Sequence, residues 1–154
     1  GNLVCTNYST TFFHVAGGFG GKPMPKNPIE IPAREPDFVV EDYISPVQNL
    51  LYRLTGDTNL IHVDPDYAKE YKFDQPIIQG LCSFGFSCRM AIDALIPGEP
   101  ERVKRMAAQM RNVLLPDTPV ALHIWKEEEG KALFQFVDTK NNRPVLDRGV
   151  FEWK

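Results

Sequence analysis

Residues 81–96 read LCSFGFSCRMAIDALI, between PIIQG at 76–80 and the breaker Pro97-Gly98. The first turns are apolar or small on nearly every side, the composition of a helix buried all round. From residue 101 the period changes from helical to alternating. Pro119 to Lys126 alternates, Lys131 to Thr139 follows a Glu-Gly turn, and Val145 to Trp153 follows Lys140-Asn141-Asn142-Arg143-Pro144, so three strands in an antiparallel meander are expected. One flat sheet face cannot cover a helix on all sides. The combination therefore predicts an α+β hot-dog fold, a bent antiparallel sheet wrapped around a buried central helix.

Upstream, residues 3–15 are rich in β-branched and aromatic side chains (Val4, Thr6, Tyr8, Thr10, Phe12, Phe13, Val15) and predict a strand. Gly17-Gly18-Phe19-Gly20-Gly21 comes next. A phosphate-cradling loop must open a helix, whereas this one runs into prolines at 23, 25, 28, 32 and 36, so residues 17–36 read as an extended linker. Ser45-Pro46 supplies an N-cap and a first-turn proline, with Val47, Leu50, Leu51 and Leu54 at helical spacing before Gly56. A second short helix is expected from Asp64-Pro65 through Tyr67, Ala68 and Tyr71 by the same logic.

With 154 residues, 43% hydrophobic and 24% charged, the chain suits one domain with a sizeable core. Its 17 basic residues are scattered, Arg102-Val103-Lys104-Arg105 being the local cluster and reading as a solvated face, so no nucleic-acid partner is implied. No apolar run approaches the roughly 18 residues of a membrane span. Cys5, Cys82 and Cys88 are odd in number and match no zinc or redox spacing, as expected of small apolar residues in a reducing compartment. The start, Gly1-Asn2-Leu3, lacks an initiator Met and a signal pattern, which predicts a fragment or processed product.

Candidate chemistry concentrates between the two short helices, in LTGDTNLIHVDP at 54–65. Asp57-Thr58-Asn59 begins like a calcium loop, but Ile61 and His62 occupy its fifth position and its obligatory glycine. His62 and Asp64 have no third ligand at zinc spacing, and His14 and His123 lie in separate predicted strands. No metal is expected. A nucleophile at Cys82 or Ser83 would sit near a helix N-terminus, yet GLCSFG is not the G-x-S-x-G elbow. Two readings stay open for Asp57 and His62: ordinary loop residues that cap and turn, or a carboxylate and imidazole sharing one water. In the second, Gly80 at the start of the buried helix offers an unobstructed N–H to an oxygen gaining negative charge.

The stretch YRLTGDTNLIHVDP at 52–65 resembles the hydratase-2 motif of (R)-specific 2-enoyl-CoA hydratases, the MaoC-like family of hot-dog proteins. PIIQGLCSFGFS at 76–87 resembles the family's central-helix entry, and GGFGGK at 17–22 the junction before the catalytic repeat of eukaryotic peroxisomal members. One departure is Leu60, where the family usually has Pro. The resemblance implies that Asp57 and His62 hold the catalytic water, with Asn59 as their polar support and Gly80 as oxyanion donor. It further implies that Asp57, Thr58, Asn59, Leu60, Ile61 and His62, together with Gly80 and Met110, meet substrate.

The reaction implied by this resemblance is reversible hydration of a trans-2-enoyl-CoA to a (3R)-3-hydroxyacyl-CoA in fatty acid β-oxidation, without cofactor, since CoA arrives on the substrate. The alternatives are a hot-dog acyl-CoA thioesterase and a non-catalytic acyl-CoA-binding fragment. The resemblance further implies, from eukaryotic relatives, a preceding N-terminal hot-dog repeat that lacks the catalytic motif. Residues 1–16 would then be its last strand, 17–36 the linker and 37–154 the catalytic domain, paired with a second hot-dog repeat from another copy or an N-terminal half. Family analogy places the protein in the peroxisome, with the cytoplasm as alternative, because the terminal Phe151-Glu152-Trp153-Lys154 is not a Ser-Lys-Leu address.

Overall fold

A computed structural model describes residues 1–11, 17–23 and 26–154. The elements are β1 (Phe38–Ile44), α1 (Gln48–Arg53), a 3₁₀ turn (Leu60–His62), α2 (Pro65–Glu70), α3 (Gly80–Leu95), a second 3₁₀ turn (Pro100–Arg102), β2 (Val103–Met110), β3 (Thr118–Glu128), β4 (Lys131–Asp138) and β5 (Arg143–Trp153). One antiparallel sheet has the order β1-β3-β4-β5-β2. The expected meander is β3-β4-β5, and β1, which the sequence reading does not anticipate, extends it beside β3 with Phe38↔Ile124 and Ile44↔Thr118 in register.

The bend in the sheet comes from register shifts, two between β4 and β5 around Phe136 and two along β2 and β5; each inserts an extra residue and kinks its strand. Beside them Phe134 faces Gly149 across the ladder. A Cβ at Gly149 would fall 2.6 Å from atoms of the Phe134 ring, so glycine is what lets that ring lie flat over the neighbouring strand. Phe134, Phe136, Phe151, Leu122, Ile124 and Leu146 form the concave face, and Met90, Ala91 and Ile96 pack into it from α3 and its end. The architecture is the hot-dog fold.

Three sequence expectations change. Helix α3 is buried on one side, through Cys82, Ser83, Ser87, Met90 and Ala91, while Leu81, Gly85 and Arg89 are exposed along the opposite stripe. A five-stranded sheet wraps one side of a helix, and its small residues permit close approach without requiring burial all round. Helix α1 begins at Gln48 and not at Ser45, because Ser45 caps a turn instead: its Oγ accepts from the Val47 N–H and its carbonyl from Gln48. The helically spaced Val47, Leu50, Leu51 and Leu54 point outward, with Leu54 83% exposed, and the buried residue of α1 is Asn49. The strand expected over 3–15 is not formed over 3–11, and 12–15 lie outside the described residues. Both edges of the sheet, β1 and β2, are set without it.

The second short helix matches its prediction: Asp64 Oδ1 accepts from the N–H groups of Asp66 and Tyr67, with Pro65 in the first turn. Residues 26–36 of the proline-rich segment have no regular structure, yet they are docked and not free. Ile29 and Ile31 cover Trp125, Leu133 and Val150 on the convex face, and the Trp125 indole donates to the Arg34 carbonyl at 2.9 Å. Arg34 grips Asp37 with the two terminal guanidinium nitrogens at 2.8 and 2.9 Å. No helix among the described residues is long and apolar enough to cross a membrane.

Candidate active site

The loop between α1 and α2 is built from successive side-chain caps. Gly56 leaves α1 at φ +113°, a conformation that glycine adopts without a Cβ clash. Asp57 Oδ1 accepts from the Asn59 N–H at 3.0 Å, and Asn59 Oδ1 accepts from the Ile61 N–H at 3.2 Å, capping the 3₁₀ turn. The turn-forming reading thus accounts for Asn59 and for one oxygen of Asp57. Leu60 opens the 3₁₀ turn, and its carbonyl accepts from Val63 and Asp64, so the loop closes without the family's usual proline.

The other oxygen of Asp57, Oδ2, faces His62 Nε2 at 3.9 Å. His62 Nδ1 lies 2.9 Å from the carbonyl oxygen of Ile77. A carbonyl only accepts, so Nδ1 carries the proton, and a neutral ring presents the Nε2 lone pair toward Asp57. At 3.9 Å the two groups are too far apart for a direct hydrogen bond and well spaced to share a small polar molecule. The His62 side chain is 12% exposed and that of Asp57 28%.

His62 also walls a cavity of about 280 Å³ together with Ile77, Gly80, Ser83, Met110 and Arg111. Gly80 is the first residue of α3, so its N–H has no acceptor within the helix. The Gln79 carbonyl takes the N–H groups of Cys82 and Ser83, and no carboxylate stands in the first turn to compete for the dipole. Met110 lies directly over Gly80: a Cβ there would fall 2.6 Å from Met110 Sδ and 2.8 Å from Cε.

Of the residues expected to meet substrate, the structure brings His62, Gly80 and Met110 to one cavity. Asp57 adjoins them through His62, whereas Thr58, Asn59, Leu60 and Ile61 are not on the cavity wall. Cys82 is buried and burial pushes its thiol up, which disfavours the nucleophilic thiolate, although the Gln48 amide opposes that shift. Among the described residues no group of three or more His, Cys, Asp or Glu side chains could hold a metal ion; His14 lies outside them. The sequence reading missed the Ile77 carbonyl, which orients His62, and the buried amides of Asn49 and Gln79. A main-chain oxygen has no signature in residue identity, and a lone Asn or Gln has no spacing to read.

Fold and site together define a hot-dog domain whose helix N-terminus shares a cavity with a loop-borne imidazole, an arrangement suited to acid–base chemistry. The chain belongs to the MaoC-like domain family, whose model matches residues 28–146. It is 35% identical over 146 residues to the enoyl-CoA hydratase ChsH3 of Mycobacterium tuberculosis, covering 95% of this chain and 51% of that protein. It is likewise 35% identical over 156 residues to the peroxisomal enoyl-CoA hydratase 2 of Arabidopsis thaliana, covering 95% and 50%. The crystal structure of a MaoC-like dehydratase from Phytophthora capsici superposes with a TM-score of 0.81 at 36% identity, covering 88% of this chain and 45% of that one. The chain spans about half the length of the curated relatives it matches.

Proposed function

We propose that this domain catalyses the reversible hydration of a trans-2-enoyl-CoA to a (3R)-3-hydroxyacyl-CoA, as a hydro-lyase of fatty acid β-oxidation. The observation that carries the reading is the His62–Asp57 pair beside Gly80: an imidazole whose Nδ1 proton is committed to Ile77, with its free Nε2 facing a carboxylate oxygen. Two similar proteins bearing hydratase names support it. Water held between Nε2 and Oδ2 gives a proton to His62 as its oxygen adds to C3. The electron pair of the double bond moves into the thioester, whose oxygen takes the Gly80 N–H. The imidazolium, stabilised by the adjacent carboxylate, then returns the proton to C2, so that one water has been added and no cofactor consumed.

Incubation with crotonyl-CoA tests the reading. Loss of enoyl absorbance without free thiol is the expected result; thiol release assigns a thioesterase, and neither assigns an acyl-CoA-binding module.

The same reading gives the domain a second hot-dog repeat as partner, from another copy or from an N-terminal half to which residues 1–16 would belong, with 17–36 as the junction. Its support is the outward face of α1, where Leu51 and Leu54 are 53% and 83% exposed, together with the exposed stripe of α3. A peroxisomal location is argued from the Arabidopsis relative, while the mycobacterial one places the family in bacteria as well. Localisation of a fluorescent fusion of the full-length protein tests it.

A further inference from the structure

We propose that Asn49 and Gln79 form a positioning relay that fixes His62 relative to Gly80. The Asn49 side chain is 5% exposed although it lies on a six-residue helix whose leucines face outward. Its Nδ2 donates to the main-chain carbonyl of His62 at 2.7 Å. The Gln79 side chain, 2% exposed, donates through Nε2 to the main-chain carbonyl of Asn49 at 3.0 Å. Gln79 is the residue immediately before Gly80. A chain of two amides therefore runs from the helix start that presents the Gly80 N–H, through α1, to the residue bearing the imidazole.

The opposite side of His62 is held by the same segment. His62 Nδ1 bonds the Ile77 carbonyl, and the Ile77 N–H donates to the Ile61 carbonyl at 3.3 Å. Ile77 thus grips the loop from two directions, through the His62 ring and through the backbone. The two amides are not explained by a saturated polar network, since Asn49 Oδ1 and Gln79 Oε1 are buried with no donor among the described residues. Leaving such oxygens unpaired is unfavourable, and apolar side chains of similar size would avoid it. What the amides supply that apolar residues could not is the pair of directed N–H bonds. Holding reacting groups at fixed separation is worth large rate factors, and displacement of about 1 Å can cost about 100-fold.

The relay rests on the hydratase reading for its catalytic consequence but not for its structural one, so two readouts are taken on the full chain. Asn49→Leu and Gln79→Met keep approximate volume and remove the donors. Ring ¹⁵N NMR reports the His62 tautomer, assigned with His62→Gln, and crotonyl-CoA hydration well below the unfolding temperature gives kcat and KM. The expected result is loss of the dominant Nδ1–H tautomer and a kcat lowered roughly 10–100-fold, with KM within about threefold. The double variant should be no worse than the weaker single, as members of one chain behave.

Unchanged tautomer and kcat with a lower unfolding temperature would reduce both residues to packing and overturn the relay, as would fully additive losses. A shifted tautomer in variants of a wild type that hydrates nothing would retain the relay and sink the hydratase reading. Should Asn49→Leu fail to fold, Asn49→Asp, which also loses the amide donor, and Gln79→Met are read by the same two measurements.

Discussion

His62 and Ile77 meet through ring and carbonyl, Nδ1 to oxygen at 2.9 Å, and this bond decides which nitrogen of His62 is free to act. Fifteen residues of chain separate them, spanning α2 and the turn after it, so the tautomer is set by packing of two loops and not by anything local to the motif.

If Nε2 and Asp57 Oδ2 share the water, removing either should be severe. His62→Gln and Asp57→Asn are each expected to lower crotonyl-CoA hydration by roughly 10²–10⁴-fold, with little change in the unfolding midpoint. Near-normal turnover in a folded variant would remove that residue from the chemistry.

Gly80→Ala places a methyl group against Met110 Sδ at 2.6 Å. Because that contact is with the far end of a flexible side chain, the fold should survive while the N–H becomes obstructed. A fall in kcat/KM of about tenfold or more is expected. Adding Met110→Ala separates the causes: recovery would mean that crowding by Met110, and not obstruction of the N–H, was at fault.

Gly149→Ala meets the buried Phe134 ring at 2.6 Å with nowhere for either to go, since both lie in the bent centre of the sheet. Overpacking of this kind costs about 1–3 kcal/mol, to be read from urea unfolding midpoints. Phe134→Leu in the same background should recover part of it.

Stability should also fall with acid through His123. Burial on β3 holds its pKa below the ordinary 6.5, with the Glu35 charge opposing. The folded ring therefore resists a proton that the unfolded chain takes up, so the unfolded state binds more protons in the window just below pH 6.5. This contribution is complete above pH 6.5 and is lost as pH falls toward the folded value. Chemical unfolding from pH 5 to pH 8 (about the range of histidine titration) should show a shallower acid slope in His123→Phe; an unchanged slope would assign the loss to other groups.

Pairing with a second repeat predicts self-association or association with an N-terminal half through the leucines of α1. Leu51→Asp with Leu54→Asp should shift sedimentation toward monomer and lower activity together. A wild type that sediments as a stable, active monomer would overturn the pairing.

The hot-dog class was legible in the sequence because its signals are local: a small-and-apolar helix stopped by Pro97-Gly98, then alternation at strand period. The cap at Asp64-Pro65 and the turn at Gly56 were legible for the same reason, since capping and backbone conformation depend on adjacent residues. The positions of Asp57, His62 and Gly80 were legible as a motif. The face on which the α1 leucines lie was not, because helical spacing predicts a helix and says nothing of which side the sheet will cover. Nor were the open stripe of α3, the bulges around Phe136, the docking of Ile29 and Ile31, or the amides of Asn49 and Gln79. These are contacts between residues remote in sequence, several made by main-chain carbonyls that every residue possesses. Residue identity therefore determined which polar groups the loop and the start of α3 carry, and only the packing of α1, the loop and the start of α3 decided how they face one another.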